Sequence, residues 1–305
     1  LPDGADCLAA AELCDHFSKI LIILRDDVRL SRFSQSLRII TNNIDIIEFP
    51  AWDCLPFDKN SPNQKLIGKR VRALSSLANP NSKKTIILST IGSVIQKIPN
   101  QDFIKNSSKS IQSGQNISQR ELINFFENNG YMRTNTVRED SEYSLRGSIL
   151  DVYPPGEKHP VRIDFFGDVI DSLRVFDPIS QLSLHNINFI SFNAGNEIIL
   201  TDHSVELFRR NHRELFNEEY DKSLYSNISQ KIRTNGIEHY LSMFHESLAT
   251  IFDHIGDAHV ILDKEYLPVL DTKFDEINDF YNARKDDYNT EGKRFNLLSP
   301  QHLYL

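Results

Sequence analysis

Long apolar runs are missing from this chain of 305 residues, and no stretch approaches the roughly 20 apolar residues that cross a bilayer. No basic segment leads into an apolar signal region either, so a cytoplasmic protein without a membrane partner is expected. Cysteine is scarce. Cys7, Cys14 and Cys54 are too few and too irregularly spaced for a disulfide framework or a zinc site, which favours a reducing compartment. Cys7 and Cys14, seven residues apart on a helical pattern, read as core. Positive charge is in deficit, with 34 Lys and Arg against 42 Asp and Glu and a net charge of −8. Coating nucleic acid needs clustered cations, so it is not the expected main activity, although a local basic patch stays open.

The signatures of catalysis are absent as well. No G-x-x-x-x-G-K-[ST] phosphate loop occurs, and Gly68-Lys69 and Gly292-Lys293 lack its second glycine and its hydroxyl residue. The loop before the first helix, "LPDGADC", has one glycine, no lysine, and Asp3 and Asp6, whose carboxylates repel phosphate. In "ILDKEY", Asp263 and Glu265 stand where an acidic magnesium motif would follow a strand; the plainer reading is a helix start that favours carboxylates. "HESLATIFDH" opens like a zinc-protease helix, but its second histidine is off the required spacing. His245, Glu246 and His254 therefore read as surface or helix-packing residues. With no G-x-S-x-G and no Cys–His arrangement, the residues point to a binding protein with no catalytic, cofactor or metal site of its own.

What is present is a globular composition, 40% hydrophobic and 25% charged, long enough for two or three domains. Residues 5–18 read as a short amphipathic helix. "ILIIL" (20–24) reads as a parallel strand buried on both faces, 27–37 as a polar helix, and "IDIIEF" (44–49) and "TIILST" (85–90) as two more strands. In "SPNQKLIGKRVRALSSL", Ser61 is the expected cap, Pro62 the first helical residue and Gln64 the capping-box partner, with Ile67, Val71, Leu74 and Ala78 on the core face. Past Pro99 the pattern changes to a polar link, a helix capped by Ser118 with Glu121 and ended by Asn129-Gly130, and then successive strands to residue 192. Helices are expected again at 202–220 and 237–254. "HVILDKEY" (259–266) is then a buried strand that could rejoin the first sheet. No internal repeat is visible. The expected fold is α/β with an inserted α+β module: residues 1–101 and 194–305 form one parallel-sheet domain, interrupted at 102–193.

One stretch stands out, "HPVRIDFFGDVIDSLRVFD" (159–177). It reads as a hairpin turning at Gly167-Asp168, with Val161, Ile163 and Phe165 on one face and Arg162, Asp164 and Phe166 on the other. An aromatic among charges on a half-exposed strand suits a contact surface. The bland alternative is a solvated arginine and a minor core. The basic stripe Lys65, Lys69 and Arg72 likewise reads either as a solvated helix face or as a surface that touches DNA or polymerase.

Three stretches carry a family resemblance. "FPAWDCLPFDKNSPNQKLIGKRVRAL" (49–74), "SLRGSILDVYPPGEKHPVRIDFFGDVIDSLRVFD" (144–177) and "NGIEHYLSMFHESLATIFDHIGDAHVILDKEY" (235–266) resemble, in that order, the region of bacterial transcription-repair coupling factors (Mfd) that is similar to the excision-repair protein UvrB. UvrB itself has a P-loop and a long tyrosine-rich hairpin, and neither is present here. The resemblance implies a degenerate, helicase-like scaffold without nucleotide binding, cut from a longer protein, as the opening at Leu1 also suggests. It further implies an inserted module that binds UvrA through Arg146, Arg162 and Phe166, with Asp164 and Asp168 as secondary candidates. In the full-length family, ATP and Mg serve a motor domain, and other domains engage RNA polymerase and double-stranded DNA in transcription-coupled nucleotide excision repair. Two alternatives stand beside this adaptor: a UvrB-like ATPase whose P-loop lies upstream of Leu1, and a nonspecific DNA-binding module.

Overall fold

The computed structural model describes residues 4–79, 84–216, 222–290 and 297–305. The chain begins with helix α1 (Ala5–Leu13), strand β1 (Lys19–Leu24), helix α2 (Asp27–Ile40), strand β2 (Asp45–Phe49), helix α3 (Gln64–Ala78) and strand β3 (Thr85–Thr90). Helix α1 stops five residues short of the expected end, because Cys14 turns the chain toward β1. Cys7 and Cys14 are both buried, as their helical spacing requires. Strand β1 has apolar residues on both faces. Leu21 and Ile23 enter one core with Phe49, Leu74 and Ile87, while Ile20, Ile22 and Leu24 enter another with Phe33, Leu37 and Leu88. Each such side chain contributes roughly 1.5–3 kcal/mol on burial.

The start of α3 departs from the sequence reading. Asn63, not Ser61, is the cap, and its side chain accepts from the Lys65 amide. Pro62 lies outside the helix, and Gln64 is no capping-box partner. Tertiary contacts draw both side chains away: the Ser61 hydroxyl donates to Glu238 at 2.6 Å and accepts from the Gly236 amide, and the Gln64 amide donates to the Gly195 carbonyl at 2.8 Å. Ile67, Val71 and Leu74 are buried as expected, while Ala78 is only partly so.

Short pieces follow: α4 (Ile91–Val94), β4 (Ile98–Pro99) and α5 (Gln101–Asn106), whose Ile104 still packs on the first core. A second core then begins with Ile111 in β5 (Lys109–Gln112). Helix α6 (Gln119–Asn128) is capped by Ser118, which accepts from the Glu121 amide, and it ends at Asn129 and Gly130 as expected. Strands β6 (Met132–Arg133), β7 (Glu142–Arg146), β8 (Ile149–Val152), β9 (Val161–Phe166), β10 (Val169–Phe176) and β11 (Ser183–Ile187) build one sheet in the order β11-β10-β9-β8-β7-β6. All neighbours are antiparallel except β6 and β7, which run parallel. The last of the expected strands divides between β11 and β12 (Phe189–Phe192), and β12 pairs with β5 instead. Leu122 and Phe126 of α6 pack with Tyr143, Leu150, Ile163 and Phe192 beneath the sheet.

The chain then returns to the first domain. Helix α7 (Asp202–Leu215) carries a Thr201–Ser204 capping box and ends before an extended Phe216, short of the helix expected at 202–220, whose residues 217–220 lie outside the described residues; α8 spans Lys222–Ser229. No long helix spans 237–254. A 3₁₀ turn (Ile237–Met243) leads to β13 (Leu248–Ala249), paired with β4, and to α9 (Ile251–Ile255). Strand β14 (His259–Leu262) pairs parallel with β1 and completes the sheet order β14-β1-β3-β2, so the module is an insertion into one parallel-sheet domain. As an edge strand β14 is largely exposed, not buried as its apolar sequence suggested. Helix α10 (Tyr266–Thr290) follows, and the closing residues pack on the core through Leu303 and Tyr304. Among the described residues no helix is long and apolar enough to cross a membrane.

Candidate protein-docking face

The β9–β10 hairpin forms because β9 alternates strictly and Gly167 supplies the left-handed residue of the turn, at φ +61°, while β10 shifts register between Ile170 and Ser172. Val161, Ile163 and Phe165 face the module core, which leaves Arg162, Asp164 and Phe166 outward. The register settles which neighbours share that outer face. Asp151 lies opposite Arg162, Ile149 opposite Asp164, and Arg146 opposite Ile149, so Arg146 reaches the same side of the sheet as the hairpin residues.

Asp151 organises the face. It is fully buried and accepts both Nε and Nη2 of Arg162, at 2.7 and 2.9 Å, as well as Nη2 of Arg146. The hydrogen bond to Asp151 raises the Arg162 pKa above the ordinary guanidinium value. Arg162 also lies 4.7 Å from the centroid of Phe176, which is buried with Val137 and Tyr153 in a small outer cluster. Its side chain is only 15% exposed, and its fork is used within the chain. Arg146 retains 50% exposure. Asp164 is occupied by Arg174 and the Ser172 hydroxyl. Phe166 is 82% exposed, and Asp168 sits in the exposed turn with its carbonyl accepting from the Ile117 amide. The sequence-predicted residues therefore share one face in different states: Phe166 and Arg146 are presented to solvent, and Arg162 is held beneath.

The face is mounted on the parallel-sheet domain by contacts the sequence reading missed. Arg70 and Glu197 are both fully buried and pair at 3.0 Å; Glu197 also accepts from Trp52 Nε1 at 2.8 Å, and Arg70 donates to the Pro50 carbonyl. Arg70 stacks over Phe49 at 4.5 Å. Beside it, Gly68 of α3 meets Gly156 of the module backbone to backbone, and a Cβ on either would lie 2.6 Å from the other's main chain. Signals were available: Arg70 falls on the same helix face as Ile67 and Leu74, and a glycine inside a helix usually has a packing reason.

The other candidates sit apart from this face. Lys65 and Lys69 are exposed, and Arg72 pairs with Glu157 at 3.1 Å and donates to the Gly156 carbonyl. At the carboxyl end of the parallel sheet, Asp6 pairs with Arg29, and Glu265 with Arg25 at 3.0 Å, while the Asp263 amide donates to the Ile23 carbonyl. Asp3 and the Gly292-Lys293 pair lie outside the described residues. Neither His245 nor His254 is at the surface. Each is buried with its Nε2 on a carbonyl, of Glu197 and Pro99 respectively, whereas Glu246 lies near Arg210 at the surface. Burial pushes the thiols of Cys7 and Cys54 up to about 11 and about 12, which leaves them protonated and poorly nucleophilic at neutral pH.

Comparison with known proteins agrees with the motif-based resemblance. Residues 110–197 match the family described as the UvrB interaction domain. Over 99% of its length the chain is similar to the transcription-repair-coupling factors of Haemophilus influenzae, at 32% identity, and Escherichia coli, at 28%. That of Rickettsia bellii is 28% identical over 93% of the chain. The chain spans about a quarter of the length of these relatives, 26% of the first two and 25% of the third.

Proposed function

Taking as premise its likeness to transcription-repair-coupling factors along nearly its whole length, we propose that this chain is the UvrB-like adaptor region of such a factor. Its UvrB interaction domain docks UvrA and so brings the damage sensor to lesions that stall RNA polymerase. The observation that carries this reading is the outer face of the module, where a large aromatic stands in water on the same side of the sheet as arginines fixed by a buried carboxylate. A desolvated aromatic next to a pre-positioned arginine is the usual make-up of an interface hot spot. Phe166 and Arg146 are the contact residues, while Arg162 and Asp151 position Arg146.

The parallel-sheet domain serves as a catalytically silent scaffold without cofactor or metal. Three features support that role: the acidic loop before α1 has no lysine, and Asp6 and Glu265 are each engaged by an arginine. In the whole protein, ATP-driven translocation on double-stranded DNA and contact with RNA polymerase belong to other domains, and the protein works in the cytoplasm. The UvrB-like ATPase reading is not favoured, since the relatives matched along the chain are named as coupling factors.

The test is a titration of purified UvrA against this chain, wild type beside Arg146→Ala and Phe166→Ala, with circular dichroism on each variant. Loss of either contact in a folded variant should weaken binding by about thirtyfold, the equivalent of roughly 2 kcal/mol. Equal affinity of both variants and wild type would remove these residues from the site.

A further inference from the structure

We propose that the docking face has a second apolar anchor, the turn 177–182 with the start of β11, where Ile179, Leu182 and Leu184 contact the same partner as Phe166. This rests on the reading of the module as a UvrA-docking domain, and it adds what that partner must offer. The three side chains are 87%, 68% and 51% exposed. Three large aliphatics standing in water within six residues mark a contact site better than singly scattered ones do.

The turn is held still. The Asp177 carboxylate accepts from the Ile179 amide, the Ser180 amide and the Ser180 hydroxyl at 3.2, 2.7 and 2.8 Å. Gln181, in the left-handed region at φ +62°, donates through Nε2 to the Pro178 carbonyl at 2.8 Å and the Val137 carbonyl at 3.1 Å. An apolar group presented on a rigid turn gives up little freedom on binding. The turn adjoins the arginine cluster of the face, since the Gln181 carbonyl is 3.5 Å from Nη1 of Arg162, the residue seated on Asp151 with Arg146.

Strand addition does not suit this edge. The β10–β11 register shifts between Val175 and Phe176, which pair with His185 and Ser183, so Leu184 is an extra residue that breaks the ladder. Contact is therefore made by side chains. Arg174, on the strand between β9 and β11, and Arg146, on β7 beyond Phe166, are both partly exposed. The matching surface on the partner carries acidic groups and two apolar sockets.

The experiment titrates purified UvrA against this chain as wild type, Phe166→Ala, Ile179→Ser and the double variant Leu182→Ser/Leu184→Ser, with melting curves and sedimentation of each. The altered side chains project into water, so melting temperatures should hold. Phe166→Ala and the double variant should each weaken binding by at least about tenfold, and Ile179→Ser by less. If Phe166→Ala weakens binding and the turn variants bind like wild type, the second anchor is wrong and the docking reading stands. If wild type itself does not bind UvrA, the docking reading falls and the second anchor falls with it. If the turn variants abolish self-association and leave UvrA affinity unchanged, the patch belongs to a second copy of this chain, which overturns the proposal.

Discussion

Two arginine–carboxylate pairs sit at different depths in this molecule. Where the chain returns from the module to the parallel-sheet domain, Arg70 and Glu197 are both enclosed, with aromatic rings, a carbonyl and an indole N–H around them. On the outer face of the module only the carboxylate of Asp151 is enclosed, and its arginines reach outward to different extents. A pair buried at both ends has nothing to offer a partner, and its free energy goes into holding two parts of the chain together. A pair with a buried anion and outward cations holds positive charge at fixed points on a surface. The same two residue types thus serve a joint in one place and a docking face in the other, and burial of the arginine is what separates the roles.

The sharpest way to break the comparison is Glu197→Ala. It leaves Arg70 enclosed without its counter-charge and Trp52 without its acceptor, and should cost about 3–5 kcal/mol in urea unfolding. A loss below about 1 kcal/mol would mean that the junction relaxes to admit water. Acid should loosen the same region. His239 and His245 are buried neutral with pKa values of about 4, against an ordinary 6.5. The unfolded chain takes up their protons first, so stability that is fully present above pH 6.5 is lost as the pH falls toward 4, by up to about 3 kcal/mol for each ring. His239→Phe should flatten that dependence in melting curves between pH 7 and 4.5; an unchanged slope would place the acid sensitivity elsewhere.

Smaller effects sharpen the contrast from the other side. Asp151→Asn should destabilise the module by about 2 kcal/mol and weaken UvrA binding as well, because Arg146 and Arg162 then face each other without an anion. Arg146→Ala, at a half-exposed position, should change stability by less than about 0.5 kcal/mol while weakening binding, which is the signature of a surface role. Asn63→Ala removes the cap of α3 and should cost about 1 kcal/mol without touching UvrA affinity.

Much of the architecture was legible in advance, because the two periods of apolar residues are distinct. The unbroken "ILIIL" marked a strand sandwiched between two cores, and the alternation from Val161 to Phe166 placed Phe166 outward. Legibility failed where a long-range partner outweighed a local preference. Ser61 has the right chemistry for a cap, yet Glu238 and Gly236 take its hydroxyl from 177 and 175 residues away. Strand β14 looked like a buried strand because it is apolar, but a strand's burial depends on its place in the sheet order, and this one is at the edge.

For the docking face the division is similar. By itself the sequence determined that Arg162 and Phe166 lie on one side of a hairpin, since the period of a strand is a property of the backbone. Only the tertiary structure decided that Arg146 joins them, that Asp151 is the buried anion between the two arginines, and that Arg162 is held in against Asp151 and Phe176. Those facts depend on the register between strands and on what covers each end of the sheet, and both are set by packing between residues far apart in the chain.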